Sequence, residues 1–308
     1  MSKIEWTRND DGTEGKTWNP LAGCSIVSPG CTNCYAMRMA SRINKMTPAS
    51  HYEGLTQFVN GRPVWTGKIA RAPDHIFNAP LKWRKPTRVF VNSMSDLFHE
   101  DVPDAFIDRV FAVMALSPRH TFQILTKRAE RMRDYVSTLA DEALKWERLG
   151  DAAAPYVGNA AYASAGECAW PLPNVWLGVS TEDRARADER IPLLLETPAA
   201  VRFISAEPLL GPIDLERLHY DSERADHHQA ALSGYLVDII LAETNRLDWV
   251  IVGGESGPGK RPVDLEWMRS IRDQCKAANV PLFVKQTDKV IPIPDDLLIR
   301  EWPKESRD

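Results

Sequence analysis

Residues 18–36 have the sequence Trp-Asn-Pro-Leu-Ala-Gly-Cys-Ser-Ile-Val-Ser-Pro-Gly-Cys-Thr-Asn-Cys-Tyr-Ala. Three of the five cysteines of the chain, Cys24, Cys31 and Cys34, fall in this stretch with the spacing C-x6-C-x2-C. Gly23 and Gly30 permit the tight turns that a loop needs if its ligands are to converge. The residues from Tyr35 onward predict a helix, so the last two thiols lie at a helix start, where the dipole favours negative charge.

Three neighbouring thiolates suit a soft metal or an iron–sulfur cluster. A structural zinc site normally has four ligands, so a zinc site here needs a fourth group from elsewhere in the chain. An iron–sulfur cluster held by three cysteines leaves one iron open to an added ligand. The remaining alternative is a group of buried thiols without metal.

Composition places the chain among ordinary globular proteins. It has 308 residues, 44% of them hydrophobic and 26% charged, with a formal net charge of −4. No apolar run has the length of a membrane span, and the first residues lack the apolar core of a signal peptide. An odd number of cysteines, three of them clustered, argues against a disulfide framework. From the sequence we expect a cytoplasmic protein with no membrane partner.

Short apolar runs alternate with amphipathic segments along most of the chain, which predicts parallel strands buried on both faces by helices. The predicted strands are 88–92, 121–126, 175–180, 201–205, 249–254 and 281–286, with one more before the cysteine stretch. About seven βα units favour an α/β fold of the TIM-like barrel type, closed or partial, and a doubly wound open sheet is the alternative. We expect one domain over residues 1–286, with insertions at about 45–86, 141–173 and 214–247, and a tail at 287–308. Residues 230–243 are predicted to be helical.

Each predicted strand ends in polar residues, and in a barrel the strand ends form the active-site mouth. Poor helix-capping residues recur at these exits, which argues against capping as their common purpose. The candidate catalytic residues are Lys127, Glu182 and Glu207; the candidate cofactor-binding residues are Ser93, Asp96, Ser180, Gly253, Gly254 and Glu255; the candidate metal ligands are Cys24, Cys31 and Cys34.

Two other features of the sequence bear on this assignment. The segment from Gly254 to Lys260 resembles a phosphate-binding loop, but Arg261 replaces the required Ser or Thr, so nucleotide hydrolysis is not predicted. The histidines show no metal-ligand spacing. His99 is the one near the predicted mouth, either as a fourth zinc ligand or, in the preferred interpretation, as a surface residue.

A cysteine triad after the first strand of a βα barrel resembles the radical S-adenosylmethionine (SAM) superfamily. The C-x2-C gap and the aromatic Tyr35 match that pattern, whereas six residues in the first gap depart from the usual three. Over residues 4–286 the chain also resembles a phage-type three-Cys-motif family whose activity is not established. The segments that carry this likeness are 17–20 through 34–36, 92–98, 125–128, 178–180, 205–210 and 252–257. The strand exits at 93–96 and 125–127 are similar to those of the spore photoproduct lyase-like branch, which acts on DNA.

The resemblance implies that the cysteine triad binds a [4Fe–4S] cluster whose open iron is chelated by SAM. Ser93 and Asp96 would contact the methionyl amino group, and Lys127, Ser180 and Glu182 would face SAM or the substrate. The usual Gly-Gly-Glu after the second strand is replaced by Asn92-Ser93-Met94. The implied partners are SAM, an electron donor and a separately encoded three-Cys-motif partner protein.

The sequence therefore supports two hypotheses of function. The first is a radical SAM enzyme of DNA repair or modification, acting on a nucleic-acid base or modified nucleotide. Basic and aromatic residues interleaved over 55–86 suit phosphate contacts and base stacking: Arg62, Trp65, Lys68, Arg71, Lys82, Trp83, Arg84 and Lys85. The alternative for that segment is a solvated face over core tryptophans. The second hypothesis is a zinc-stabilised adaptor that acts through a partner protein.

Overall fold

The fold is given by a computed structural model, which describes residues 4–158, 160–219, 228–236, 245–288 and 292–303. The strands are β1 (Lys16–Trp18), β2 (Leu21–Ala22), β3 (Thr56–Val59), β4 (Arg62–Trp65), β5 (Ala70–Arg71), β6 (Arg88–Val91), β7 (Thr121–Thr126), β8 (Val175–Ser180), β9 (Val201–Ala206), β10 (Leu218–His219), β11 (His228–Ala230), β12 (Tyr235–Leu236), β13 (Trp249–Gly253) and β14 (Leu282–Gln286). The helices are α1 (Tyr35–Met46), α2 (Asp74–Phe77), α3 (Ala79–Lys82), α4 (Asp104–Ala115), α5 (Ala129–Thr138), α6 (Glu142–Val157), α7 (Ala160–Glu167), α8 (Arg184–Glu196) and α9 (Leu265–Ala278). Short 3₁₀ turns cover Glu5–Thr7, Pro29–Cys31 and Asp295–Leu297.

The main sheet has seven strands in the order β1-β6-β7-β8-β9-β13-β14. The pairs β1–β6, β6–β7, β9–β13 and β13–β14 are parallel. Every residue of β6, β8 and β13 is buried, as expected for strands covered on both faces. The prediction of an α/β fold with a parallel sheet is therefore confirmed.

The chain divides into two compact units. Unit one comprises Met1–Trp176 and Pro198–Ala200, and unit two comprises Leu177–Thr197 and Val201–Asp308.

Unit one carries β1, β6 and β7, with α4 among its helices. Trp18 of β1 is almost fully buried, and its ring contacts Phe77 and Phe122. Within the predicted insertion 45–86, β3 and β4 form an antiparallel hairpin that packs against α1. Within 141–173, α6 packs against α7 and α4 through a small alanine-rich core.

Unit two carries β9, β13 and β14, covered by α8 and α9. Both helices begin at an aspartate whose side chain accepts a backbone N–H of the first turn: Asp183 from Arg186, and Asp264 from Glu266. Helix α9 ends at Asn279, which has the left-handed conformation (φ +54°) typical of a helix terminus.

The helix predicted over residues 230–243 is wrong in its described part. Residues 228–236 form the hairpin of β11 and β12, which pair antiparallel, and β11 also pairs with β10. Gly234 lies in the turn with φ +79°, a conformation that does not continue a helix. Residues 237–243 lie outside the described part of the chain. Among the described helices, none is both long and apolar enough to cross a membrane.

Candidate functional site

The cysteine loop follows β2 and is fixed at Gly23, before the first thiol. The N–H of Gly23 donates to the carbonyl oxygen of Met94 over 3.0 Å. Gly23 has φ +96°, and a Cβ at this position would lie 2.1 Å from the backbone carbonyl oxygen of Lys68. Only glycine combines that conformation with so close an approach of two backbones. The position of Cys24 is therefore set by the backbone on either side of the loop.

The three cysteines occupy three distinct positions of the loop. Cys24 follows Gly23, Cys31 ends a 3₁₀ turn, and Cys34 is the N-cap residue of α1. None of the three forms a disulfide, and each is partly exposed as a residue. The predicted helix start after Cys34 is confirmed at Tyr35.

Burial and neighbouring charges shift the pKa values of Cys24 and Cys34. Burial, followed by the charge of Asp96, raises the pKa of Cys24 to about 12, and the charge of Cys34 adds to this effect. Burial also raises the pKa of Cys34, and the charge of Cys31 adds a smaller increase. The backbone N–H groups of Ala36 and Met37 act in the opposite direction, because their hydrogen bonds stabilise the thiolate. An ionised Cys34 would thus disfavour a thiolate at Cys24, and an ionised Cys31 one at Cys34, whereas a metal centre would supply positive charge that stabilises thiolates.

Among the described residues, no group of three or more His, Cys, Asp or Glu side chains is arranged to hold a single metal ion. An iron–sulfur cluster places each thiolate on a different iron, which needs a wider spacing of the sulfurs. The donor set, three thiols in one loop, is the ligand type that iron–sulfur clusters and zinc sites both take.

Asp96 and Arg128 join the exits of β6 and β7 to the cysteine loop. Asp96 accepts hydrogen bonds from Thr126 Oγ1 (2.7 Å) and from the backbone N–H of Lys127 (3.1 Å). Nη1 of Arg128 lies 3.1 Å from Asp96 Oδ2 and 3.9 Å from Cys24 Sγ. Asp96 is buried with its oxygens engaged, so it orients Arg128, whose guanidinium is the cation nearest Cys24.

The same guanidinium also holds Glu100, because its Nε donates to Glu100 Oε2 over 2.7 Å. Burial acts to raise the pKa of Glu100, but the hydrogen bond and charge of Arg128 outweigh it and lower that pKa to about 2. Burial likewise opposes the charge of Arg128, yet Asp96 and Glu100 raise its pKa above the ordinary value. Arg128 is therefore a permanent cation at the loop. Sequence reasoning missed its role, although it directly follows the candidate Lys127.

Lys127 itself is half-buried. Its charge partly opposes the rise in the pKa of Cys34 that burial causes. Ser93 donates from its hydroxyl to Asn19 Oδ1 (3.1 Å), and its carbonyl oxygen accepts the hydroxyl of Tyr35 (2.9 Å). The structure thus brings Ser93, Asp96 and Lys127 together around the cysteine loop in unit one.

Asn92 lies at the exit of β6 and was not among the predicted site residues. It is buried, has φ +59°, and neither atom of its side-chain amide has a hydrogen-bond partner in the structure. A buried amide of this kind is costly unless a ligand or water completes it. A sequence signal existed, because Asn is one of the few residues that adopt a positive φ readily.

His99 is not the surface residue that the preferred interpretation predicted, since it is fully buried. Its Nδ1 accepts the backbone N–H of Asp101 (3.2 Å), which assigns the ring proton to Nε2, 2.7 Å from Ser25 Oγ. Burial and the charge of Arg128 lower the pKa of His99, so the ring is neutral. Nε2 thus ties the ring to the cysteine loop and Nδ1 ties it to its own turn, so both nitrogens are already engaged.

In unit two, Ser180 and Glu182 follow β8 and are both buried. Glu182 Oε2 lies 3.2 Å from Nη1 of Arg190, and the same nitrogen donates to the carbonyl oxygen of Ser180 over 2.8 Å. Glu182 is 0% exposed and Arg190 is 2% exposed. This geometry is that of a buried ion pair that holds α8 on β8, and it gives Glu182 no open face for a substrate.

Glu207 follows β9 and forms a half-buried pair with Lys285 of β14. The Nζ of Lys285 donates to both carboxylate oxygens, at 2.6 and 2.9 Å. Gly253 lies beside this pair, since a Cβ there would be 3.4 Å from Glu207 Cγ. Of the predicted candidates in unit two, Glu207 and Gly253 are therefore close together.

Gly254 and Glu255 follow β13 and are held by their own loop. The N–H of Gly254 donates to the carbonyl oxygen of Gln286 over 2.9 Å, and a Cβ there would lie 2.8 Å from the Thr287 backbone. Glu255 accepts the backbone N–H and the guanidinium of Arg261, at 2.8 and 2.6 Å. Arg261, the residue that breaks the phosphate-loop pattern, thus closes this turn.

A family model described as "Protein of unknown function (DUF5131)" matches residues 1–295. No curated protein and no solved structure matches the chain.

Proposed function

The chain belongs to the DUF5131 family, and we propose that it is a radical SAM-type iron–sulfur enzyme acting on a nucleic-acid base or modified nucleotide. The proposal includes the finer fold assignment, in which the seven-stranded parallel sheet is a partial TIM-like barrel. A strand-exit site is the usual location of activity in such folds.

The observation that carries the proposal is the set of three free, neighbouring thiols beside the exits of β6 and β7. Cys24, Cys31 and Cys34 are unpaired with any other cysteine, and burial makes free thiolates unfavourable at Cys24 and Cys34. Both nitrogens of His99 are engaged, with Ser25 and with the backbone of Asp101, so this ring offers no free nitrogen to a zinc ion, and this supports a cluster over the zinc alternative.

When bound with SAM and reduced by an external one-electron donor, such a cluster supplies the electron that cleaves SAM to methionine and a 5′-deoxyadenosyl radical, which takes a hydrogen atom from the substrate. The chain's own residues would bind and orient. The cysteine triad would hold three irons, and Arg128, fixed by Asp96 and Glu100, would offset negative charge next to Cys24. Asn92 and Ser93 would offer polar groups to SAM, whereas the oxygens of Asp96 are already engaged.

The test is anaerobic purification with iron and sulfide reconstitution, followed by visible absorption and electron paramagnetic resonance with and without SAM. We expect a brown protein with about four irons, the content of a [4Fe–4S] cluster, whose reduced signal shifts when SAM is added. Cys24→Ser, Cys31→Ser and Cys34→Ser should each lose iron. Cys168→Ser is the matched control, since Cys168 is equally free and partly exposed but lies outside the loop.

Two results would end the proposal. A colourless protein that retains about one zinc would leave the adaptor hypothesis. A cluster whose signal ignores SAM would remove the open iron on which the activity depends.

A further inference from the structure

The region from α1 to β5 has a charge opposite to that of the chain. Between residues 35 and 72 there are six Arg and Lys residues and a single acidic residue, Glu53. This segment therefore has a formal charge of +5, whereas the whole chain has −4. A local concentration of positive charge in an acidic protein is the electrostatic pattern of a surface for a polyanion.

The outer faces of α1 and the β3–β4 hairpin expose this charge. Arg42, Lys45 and Arg62 are exposed, and no carboxylate of the described residues pairs with them. Lys45 Nζ lies 5.0 Å from the ring centroid of Phe58, which joins the outer face of α1 to the hairpin. Arg62 of β4 pairs in register with Val59 of β3, the residue after Phe58. Arg62 and Phe58 therefore lie at the same end of the hairpin.

Apolar side chains are exposed among these cations. Phe58 is 58% exposed and Tyr35 is 47% exposed, and Met39, Met46 and Val59 are also exposed. Tyr35, Met39 and Met46 recur at the spacing of one helix face. We call the surface formed by α1 and the β3–β4 hairpin, with these residues on it, the α1–hairpin surface.

The structure changes which aromatic residues could stack with bases. Trp65 is 7% exposed and belongs to the small core beneath α1, so the expectation that it stacks on a base is wrong. The ring of Trp83 is covered by Lys16 Nζ at 4.6 Å and by His120 on its edge. The exposed Phe58 and Tyr35 are the aromatic groups that remain for this purpose.

That small core also connects the surface to the cysteine loop. Cys24 and Cys34 pack against the same cluster as Met37 and Trp65. Tyr35 directly follows Cys34, and its hydroxyl is bonded to the Ser93 carbonyl. A strand lying on the α1–hairpin surface would therefore run beside the proposed cluster site.

We propose that the α1–hairpin surface binds single-stranded DNA. Exposed cations suit its phosphates, and exposed Phe58 suits a base that is not covered by a partner strand. In duplex DNA the base faces are stacked on one another, so they could not contact the apolar residues of this surface. This inference rests on the proposed function for its choice of DNA, and it gives that function a place where the substrate strand lies.

The test is fluorescence anisotropy of a labelled single-stranded oligonucleotide with the full chain, without reconstitution and without SAM, over a range of salt concentrations. Arg42→Glu combined with Lys45→Glu should weaken binding at least tenfold at low salt and reduce the salt slope by about 1.4, the value for two phosphate contacts on a single strand. Phe58→Ala should weaken binding about fivefold or more with an unchanged salt slope, because it removes a base stack and no charge.

Arg217→Glu combined with Arg246→Glu is the matched control. Both residues are exposed in unit two and outside helices and strands, and the charge change is the same. The control should bind DNA as the wild type does. Thermal melting should show that all variants fold.

Wild-type affinity in the Arg42/Lys45 variant, or an equal loss in the control, would overturn the proposal. So would tighter binding to a duplex of the same sequence, or unchanged affinity in Phe58→Ala, which would leave the apolar patch to a protein partner. Failure of the cluster assay leaves this test intact, since DNA binding is measured on protein without a cluster. Conversely, the Arg42/Lys45 variant should still take up iron.

Discussion

Replacing Arg190 by methionine should destabilise the protein by about 3–5 kcal/mol, the usual cost of removing one partner of a buried ion pair. Glu182 is 0% exposed and Arg190 is 2% exposed, with 3.2 Å between Oε2 and Nη1. The change leaves the Glu182 carboxylate buried without this cation. It also removes the donor to the Ser180 carbonyl oxygen, which lies 2.8 Å from Arg190 Nη1.

The structure indicates why the charge, and not the volume, should dominate this loss. Methionine retains most of the apolar stem of arginine, so the cavity left behind is small. Removing both charges, as in Glu182→Leu with Arg190→Met, should therefore recover stability to within about 1 kcal/mol of the wild type. Arg184→Met on the same helix is the control, because its pair with Asp188 is partly exposed and should contribute about 1 kcal/mol or less.

The assay is urea unfolding followed by far-ultraviolet circular dichroism, with the slopes compared as well as the midpoints. A loss below about 1 kcal/mol for Arg190→Met, or a double variant as unstable as the single one, would refute the ion-pair account. Glu182 was predicted to be catalytic, so the double variant also separates the two roles. If the wild type cleaves SAM as proposed, a stable double variant that also cleaves SAM assigns Glu182 to structure, whereas a stable one without activity restores the catalytic prediction.

Two further predictions concern unit one. Gly23→Ala should destabilise the protein by about 2–3 kcal/mol and lower iron uptake, because its Cβ would meet the Lys68 carbonyl at a positive φ; urea unfolding and iron content measure this, and a wild-type midpoint would contradict it. Burial, followed by the charge of Asp108, raises the pKa of Tyr135 well above 10. The folded phenol therefore stays protonated while the unfolded one ionises, so its contribution to stability is present below pH 10 and is lost as the pH rises towards the folded pKa. Tyr135→Phe should lack this loss, and equal changes between about pH 8 and about pH 11 in both proteins would contradict the assignment.

The fold class was predictable because the strands of the main sheet are continuous apolar runs. All positions of β6, β8 and β13 are buried, so these strands do not alternate between polar and apolar residues as a half-exposed strand does. A short apolar run is then enough to predict a buried parallel strand. The helix predicted over 230–243 was wrong in residues 230–236 because its apolar content is equally compatible with a hairpin. The turn at Gly234 and the pairing of β11 with β10 and β12 stabilise the hairpin instead. The pairing with β10 involves residues outside the segment predicted to be helical.

The site was predictable only where spacing along the chain carries the chemistry. The cysteine triad is local in sequence, and so was the helix start after Cys34. The burial of His99 and Glu182 could not be predicted from the sequence, because it depends on which helices and strands pack over them. Arg128 shows the same limit: its neighbour Lys127 was chosen from the strand exit, but the contacts with Asp96 and Cys24 come from a different strand and loop.

The distribution of charge around the cysteine loop bears on which centre it can hold. Arg128 is the one cation in hydrogen-bonding reach of Cys24 in the described part of the chain, and it is already shared between Asp96 and Glu100. Its charge and hydrogen bond act to lower the pKa of Cys24, but burial and the charge of Asp96 outweigh them and raise that pKa to about 12. A reactive cysteine needs the reverse, an accessible cation and a lowered pKa. Thiols that the protein itself leaves protonated become thiolates when a metal centre supplies the missing charge, and this argues for the proposed cluster and against a nucleophilic role for Cys24.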